Sequence, residues 1–555
     1  MSITKASPSA QLLARLGLDT SKPNVGVYTG VWKASGPVVQ QRNPATGEVI
    51  AEVQEGSAED LERAIVSARE AYKQWRMVPA PKRGEVLREP NFFAVTGLTM
   101  RSLLTRPRYL AGRASPPRTY AGQMRTALSD NITDLGDLIS LEMGKIRTEG
   151  KGEVQEFVDI MDMAVGMARS IGGSSVSSER AGHLLQHIPN PLGLIGVISA
   201  FNFPNAVFGW NFSLAFITGN ATLWKPAPTV NLVSIATTKI LAKVLEDNNL
   251  PGALAAIVCG GIEVGKKLVA DARVDLVSFT GSEHVGRLVS MEVASRFGQS
   301  ILELGGNNAS VVLPDANIKM AVPSVLFSAL GTAGQRCTTT RRLFLHNAIA
   351  DEFLASLVTA YKSASLRTGS PLDEKTLIGP LHTQDAVAKF EAAVAEAQEQ
   401  GGEVLVGGAQ WAASSELLKG GNWVQPTIIK FNDISKAAVM QRETFAPILY
   451  VATFDTLEEA IELNNSVPQG LSSSLFTKDI TSAYKWLGPA GSDCGIVNVN
   501  GSTSGAEIGL PFGGNKSTGW GREAGGESWK QYVRWSSSTI NFSDELAFAQ
   551  GVSFE

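Results

Sequence analysis

The chain has 555 residues, 44% of them hydrophobic and 18% charged, which is enough for two or more domains with substantial cores and too much for a small binding module. A formal net charge of -4 leaves no electrostatic footprint for nucleic acid or an anionic membrane, so neither is an expected partner. Cys259, Cys337 and Cys494 are odd in number and widely spaced, which fits neither a disulfide framework nor a Cys/His zinc pattern; a reducing compartment and no metal are expected.

Along the chain, the N-terminal stretch lacks the long apolar core and small-residue cleavage site of a secretory signal. It points to a cytoplasmic address, with a mitochondrial presequence as the alternative. Residues 89–122 then break the pattern, with five arginines, no lysine, one acid and four prolines. Joining Arg88 directly to Gln123 puts Val86, Leu87, Met124, Ala127 and Leu128 on one helical stripe. The stretch 89–122 therefore reads as translated intron or a gene-model error interrupting a helix, and the rival reading is a basic loop that binds a partner. His183 and His187 flank an apolar pair before "IPNPLG" and read as strand or hairpin residues rather than metal ligands.

From Ile188 to Trp224 there is no charged residue, yet Asn202, Pro204, Asn205, Asn211 and Asn220 interrupt the run and would be costly in lipid. A buried strand "LGLIGVISA", a loop, an apolar helix and a second buried strand "ATLWKP" account for it. Continuous apolar runs continue in "LAAIVCGG", "VDLVSFTG" and "SILELGG" with helical stretches between, the signature of parallel strands covered on both faces. After Gly305 and Gly306 a second series starts, with "ASVVLP", "RRLFLH" and amphipathic helices. Two α/β domains meeting at that Gly-Gly step are expected, the first of them doubly wound.

Three features suggest chemistry. The turn Gly281-Ser282 opens a helix whose free amides suit a pyrophosphate, and Lys225 ends a buried strand where ligands of open sheets bind; an ordinary turn and a solvated lysine remain alternatives. Cys337, in "GTAGQRCTTTRR", has no apolar neighbour and an adjacent cation in Arg336, unlike Cys259 inside "LAAIVCGG". That environment suits a reactive thiolate, which needs donors for a developing oxyanion and a base for the second half of a covalent reaction. Glu303 and Asn202, each at the end of an apolar strand, are the candidates, against edge-residue and turn-former readings.

"FNFPN", "LWKP", "FTGSEHVG", "LELGGNN", "GQRC" and "ETFAP" occur in the order and spacing of the NAD(P)-dependent aldehyde dehydrogenase superfamily, and the resemblance runs over nearly the whole chain. "GQRCTTTRRLFLH", "GEVQEFVDI" and "CGIVNVNGSTSGAEIG" resemble the antiquitin group, the α-aminoadipic semialdehyde dehydrogenases. The resemblance implies an α/β fold: a Rossmann-like NAD-binding domain over 25–169 and 190–304, with 89–122 as an anomalous insert, an α/β catalytic domain over 305–505, and a small β oligomerisation element from 170–189 and 525–543. It implies Cys337 as nucleophile, Glu303 as the base that activates water, and Asn202 with the Cys337 amide as oxyanion donors. Lys225, Glu443, Phe445, Gly281 and Ser282 would hold the cofactor. Glu156, Arg336, Ser504, Gly505 and Ala506 would address the amino-acid end of the substrate, with Trp210 and Phe512 along its stem; the alternative keeps Glu156 as a solvated helix residue and Arg336 as a thiolate-stabilising cation. NAD is implied over NADP, although Pro228 stands where many NAD-preferring relatives have a glutamate. A homotetramer acting on a small aldehyde is implied, and the rival readings are a dehydrogenase of broad specificity and a non-catalytic NAD-binding protein inactivated by the insert.

Overall fold

A computed structural model describes residues 8–88, 123–413 and 415–546. After a short helix, Pro8–Arg15, and four short strands within residues 24–54 come helices α1 (Ala58–Trp75), α2 (Ala80–Arg88), α3 (Gln123–Asp130), α4 (Ile132–Met143) and α5 (Arg147–Met167). Strands β1 (Ser174–Ser177) and β2 (His183–Pro191) follow, so His183 and His187 lie in a strand, where the His187 ring stacks on Trp535.

The uncharged stretch becomes β3 (Leu194–Ile198), α6 (Ala206–Thr218) and β4 (Ala221–Lys225), every residue of which is buried. An apolar helix buried on all sides has no amphipathic stripe, which is why composition alone imitates a membrane span here. No helix among the described residues is long and apolar enough to cross a membrane. Helix α7 (Asn231–Asp247) leads to β5 (Ala255–Val258), α8 (Ile262–Ala270) to β6 (Leu276–Thr280), and α9 (Glu283–Ser295) to β7 (Gln299–Glu303). The strands pair in parallel in the order β7-β6-β3-β4-β5, with the short strand Val27–Tyr28 antiparallel at the edge. Chain order therefore reverses between β3 and β6, and a crevice opens at their carboxyl ends.

A second sheet begins immediately. It comprises β8 (Asn308–Val312), β9 (Thr340–His346), β10 (Glu403–Val406), β11 (Thr427–Lys430), β12 (Ile448–Phe454), β13 (Ser472–Phe476) and β14 (Ile496–Val499), in the order β10-β11-β12-β9-β8-β13-β14. Only β10 is antiparallel. Separate apolar clusters cover this sheet, with Phe390, Ile429 and Trp486 in one and Phe353, Leu357 and Tyr361 of α11 (Ala350–Ser365) in the other; α10 (Ile318–Leu330) contributes to the second.

The hand-off from β7 to β8 brings the carboxyl ends of the first sheet against the amino ends of the second. It passes through Gly305 and Gly306, where a Cβ would stand 2.1 Å from Glu443 Oε2 and 2.6 Å from the Cys337 carbonyl oxygen. A side chain at either position would push those groups away, so the glycines serve close approach.

Strand β15 (Val533–Asn541) returns to pair with β2 along its whole length, making an antiparallel sheet β15-β2-β1. This sheet leaves Val176 and Ile540 exposed, with Phe542 just beyond it. Residues 89–122 lie outside the described residues. On either side of them, α2 and α3 pack on each other and on α5, and Val86, Met124 and Leu128 are buried in one core with Ala127 packed against it. The side chain of Leu87 also lies outside what the structure describes.

Candidate active site

Where the two sheets meet, a cavity of about 430 Å³ is lined by Cys337, Glu303 and Asn202 together. Asn202 follows β3. Its Nδ2 donates to the Gln335 carbonyl at 3.0 Å, which fixes the amide and leaves its second N–H for the cavity. The loop carrying it is anchored from behind: Glu153 of α5 accepts from the amides of Asn205 and Ala206 at 2.6 and 3.1 Å, at the amino end of α6. Lys145 balances that carboxylate at 2.7 Å in a fully buried ion pair, with its ammonium 3.8 Å from the Phe203 ring centre.

Cys337 precedes β9 and is half-buried. Asn308 Nδ2 holds its loop by donating to the carbonyls of Cys337 and Thr339 at 2.7 and 2.8 Å. No described group accepts the Cys337 N–H, so that amide and the second N–H of Asn202 are both unspent donors beside the thiol, an arrangement suited to an oxyanion. Burial, with the Glu303 and Glu443 carboxylates adding to it, pushes the thiol up to about 12 against the pull of Arg341.

Glu303 ends β7, and neither carboxyl oxygen has a hydrogen-bond partner among the described residues. Burial, joined by the like charge of Glu523 and opposed by Arg522, holds its carboxyl well above the ordinary range. An unpartnered carboxyl beside a thiol is costly unless it has a task, and a base of raised pKa is matched to taking a proton from water near neutrality. Glu523 is the contrasting case. It also reaches the cavity, but Tyr532 and Asn211 donate to it at 2.5 Å and Ser278 at 2.9 Å, while burial lifts it to about 7.

The cavity is also lined by Glu156, Arg336, Trp210, Phe512, Ser504 and Ala506. Gly505 does not reach it; its amide closes a turn onto the Ser502 carbonyl. Trp210 and Phe512 pack at 4.9 Å between ring centres. Glu156 is lifted to about 7 by burial and then by Glu153, with Lys145 and Arg336 opposing. The Trp210 indole N–H lies outside hydrogen-bond geometry but close enough to favour the ionised form. Arg336 is already paired, its Nη2 donating to Glu149 at 2.8 Å.

Gly281, Ser282, Glu443 and Phe445 line the same cavity at the switch-point crevice. The Ser282 hydroxyl caps α9 through the Val285 amide, leaving the first amides of that helix for an anion. Lys225 lies off the cavity wall, at the end of β4; its Nζ donates to the Pro226 carbonyl, and burial lowers its pKa. Glu443, raised by burial and held down by Arg341, accepts from the Gly306 amide at 3.2 Å. A helix amino end for a diphosphate, and a lysine and a carboxylate for hydroxyls, fit a dinucleotide.

A family model described as the aldehyde dehydrogenase family matches residues 32–91 and 118–537. The chain belongs to the aldehyde dehydrogenase family. It is an oxidoreductase, and its α/β architecture is that of the family. The chain is 51% identical to "Alpha-aminoadipic semialdehyde dehydrogenase" of Bos taurus over 548 residues, 99% of this chain and 93% of that one. It is 48% identical to "Aldehyde dehydrogenase family 7 member A1" of Pisum sativum, over 98% of each. The solved betaine aldehyde dehydrogenase from Staphylococcus aureus in complex with NAD+ superposes with a TM-score of 0.85 at 26% identity, covering 98% of this chain and 99% of that one. The family match breaks inside the stretch 89–122.

Within this aldehyde dehydrogenase the sequence reading missed Arg341. Its buried guanidinium donates from all three nitrogens, to the carbonyls of Gly306, Gly334, Thr444 and Arg336 and, at 3.0 Å, to Glu443. It is this side chain, rather than the neighbouring Arg336, that favours the Cys337 thiolate. The motif "CTTTRR" contains it, but nothing local tells an inward arginine from a solvated one.

Proposed function

We propose that this aldehyde dehydrogenase oxidises an amino-acid semialdehyde, α-aminoadipic semialdehyde, to the carboxylic acid through a thioester on Cys337, using NAD in preference to NADP. The observation that carries the reading is the convergence of Cys337, Glu303 and Asn202 on a cavity also lined by Glu156 and Arg336. The names of the mammalian relatives and the NAD+ in the bacterial structure support it.

The Cys337 thiolate adds to the aldehyde carbon, and the oxygen takes its negative charge between the Asn202 amide and the Cys337 N–H. Held by the amino end of α9 at Gly281 and Ser282, with Glu443 for a ribose hydroxyl, a nicotinamide dinucleotide would supply the two-electron acceptor for the hydride that leaves the former aldehyde carbon, which remains bonded to Cys337 as a thioester. Glu303 then removes a proton from water, the oxygen adds to the thioester carbonyl, and the acid leaves as Cys337 recovers its electron pair. Glu156 meets the ammonium and Arg336 the carboxylate, because neither charge can be buried beside a nucleophile unpaired.

Glu156→Gln tests the substrate. It is expected to lower kcat/KM for the semialdehyde by roughly tenfold to a thousandfold, as the loss of one buried charge partner does, and to leave hexanal within about threefold. Equal losses on both aldehydes return the assignment to a dehydrogenase of broad specificity.

Residues 89–122 are proposed to be dispensable, since in a chain joining Arg88 to Gln123 the buried Val86, Met124 and Leu128 fall at i, i+4 and i+8 of one helix. Closing so long an excursion costs on the order of 3 kcal/mol in chain entropy. Deletion of 89–122 is therefore expected to raise the thermal denaturation midpoint by a few degrees at fixed scan rate, with kcat/KM kept within about twofold. A lower midpoint or lost activity would establish the stretch as a working part of the protein. Light scattering on the same samples tests the proposed homo-oligomer, for which the exposed Val176 and Ile540 of the sheet β15-β2-β1 offer an apolar face; monomers at micromolar concentration would remove it.

A further inference from the structure

We propose that Glu149 is a positioning residue that aims the Arg336 guanidinium at the carboxylate of the substrate, a role resting on the substrate reading above. Glu149 lies in the first turn of α5, and Glu156 follows two turns later on the same face, so one helix presents both acids toward the cysteine loop. The Glu149 and Arg336 side chains are each only 14% exposed. Glu149 Oε1 accepts from Arg336 Nη2 at 2.8 Å and from the Thr332 amide at 2.9 Å. Arg336 Nε donates to Thr332 Oγ1 at 3.0 Å, and the guanidinium lies over the rings of Phe327 and Phe203, at 5.1 and 5.8 Å from their centres.

Two edges of the fork are thus tied to protein acceptors, while Nη1 has no partner among the described residues and Arg336 lines the cavity. An arginine left free on a long stem must lose rotamer freedom when it meets a carboxylate; one held in advance does not. The same carboxylate also fixes the loop. Thr332 and Ala333 have φ of 53° and 51°, a left-handed pair of non-glycine residues four and five positions before Cys337, and the Glu149 acceptor satisfies the Thr332 amide in that conformation. Against these effects stands the negative charge of Glu149, which repels an incoming carboxylate. Glu149→Gln removes the charge and keeps an acceptor oxygen; Glu149→Ala removes both.

The experiment uses the full-length enzyme with saturating NAD and three six-carbon aldehydes: hexanal, 6-oxohexanoate and 2-amino-6-oxohexanoate. Glu149→Ala is expected to raise KM for both carboxylated aldehydes about tenfold, with kcat and the KM for hexanal kept within about threefold, whereas Glu149→Gln stays near wild type on all three. A rise shared by hexanal, or a fall in kcat common to all three, would overturn the proposal and leave Glu149 with the Thr332–Ala333 turn alone, and no part in aiming Arg336. Wild-type enzyme that does not distinguish 6-oxohexanoate from hexanal would defeat the substrate reading first, before any variant is made. Should Glu149→Ala not fold, Thr332→Ala removes only the acceptor on Arg336 Nε and is expected to raise KM for the carboxylated aldehydes about threefold; an unchanged KM overturns the proposal.

Discussion

Cys337→Ala is expected to lower kcat for aldehyde oxidation at least about a thousandfold while leaving the affinity for NAD within about threefold, because the thiol bonds to substrate and not to dinucleotide. The other two cysteines offer no substitute. Cys259 is fully buried in the apolar core around the first sheet, where desolvation drives its thiol far above the ordinary range, and Cys494 lies off the cavity. NADH absorbance gives the rate and fluorescence titration gives the affinity. Residual turnover above about 1% would move the nucleophile elsewhere. The same thiol makes a prediction about pH. Since burial and two carboxylates push Cys337 up to about 12, its thiolate fraction, and with it the rate of alkylation by iodoacetamide in the cofactor-free enzyme, is expected to climb about tenfold per pH unit between 7 and 9. A plateau below pH 8 would mean the thiol is already ionised at rest.

Much of this architecture was legible because it is written in runs. Strands covered on both faces leave unbroken apolar stretches, so β3, β4, β5, β6 and β7 could be read from "LGLIGVISA" to "SILELGG", and the Gly305-Gly306 step between the sheets stood out as punctuation. Cys337 was legible for the opposite reason, as a soft, small side chain set among polar and cationic neighbours. The residues that hold the site in place were not legible, because their partners lie far away in sequence. Glu149 and Arg336 are 187 positions apart, and Arg341 and Glu443 are 102 apart. A charged residue on an amphipathic helix is ordinarily solvated, and only the fold brings α5 against the cysteine loop and turns Glu149, Glu153 and Glu156 inward. Arg336 shows the limit most clearly: its adjacency to Cys337 suggested a partner for the thiolate, whereas its guanidinium points to Glu149 and the thiolate is favoured by Arg341.

Glu303→Gln separates the two halves of the reaction. The amide is isosteric with the carboxyl, which matters in a site where a Cβ on Gly513 would come within 2.7 Å of Glu303 Oε1, so the variant is expected to fold and to bind both substrates. It cannot take a proton from water. The first half-reaction should therefore proceed and the thioester accumulate, giving about one equivalent of NADH per active site in a stopped-flow burst, followed by a steady state at least about a hundredfold slower than wild type. Intact-protein mass spectrometry should find the acyl adduct on Cys337. The pH dependence follows from the same environment. Burial and Glu523 raise the Glu303 carboxyl, so the base form is scarce in acid and turnover limited by thioester hydrolysis should rise as pH climbs through that raised value, then level off once the carboxyl is ionised. In Glu303→Gln the rise should vanish from the steady state. A variant that turns over at the wild-type rate, or keeps the wild-type pH profile, would place the base elsewhere, and Glu523, another buried carboxyl on the cavity wall, would be the next to test.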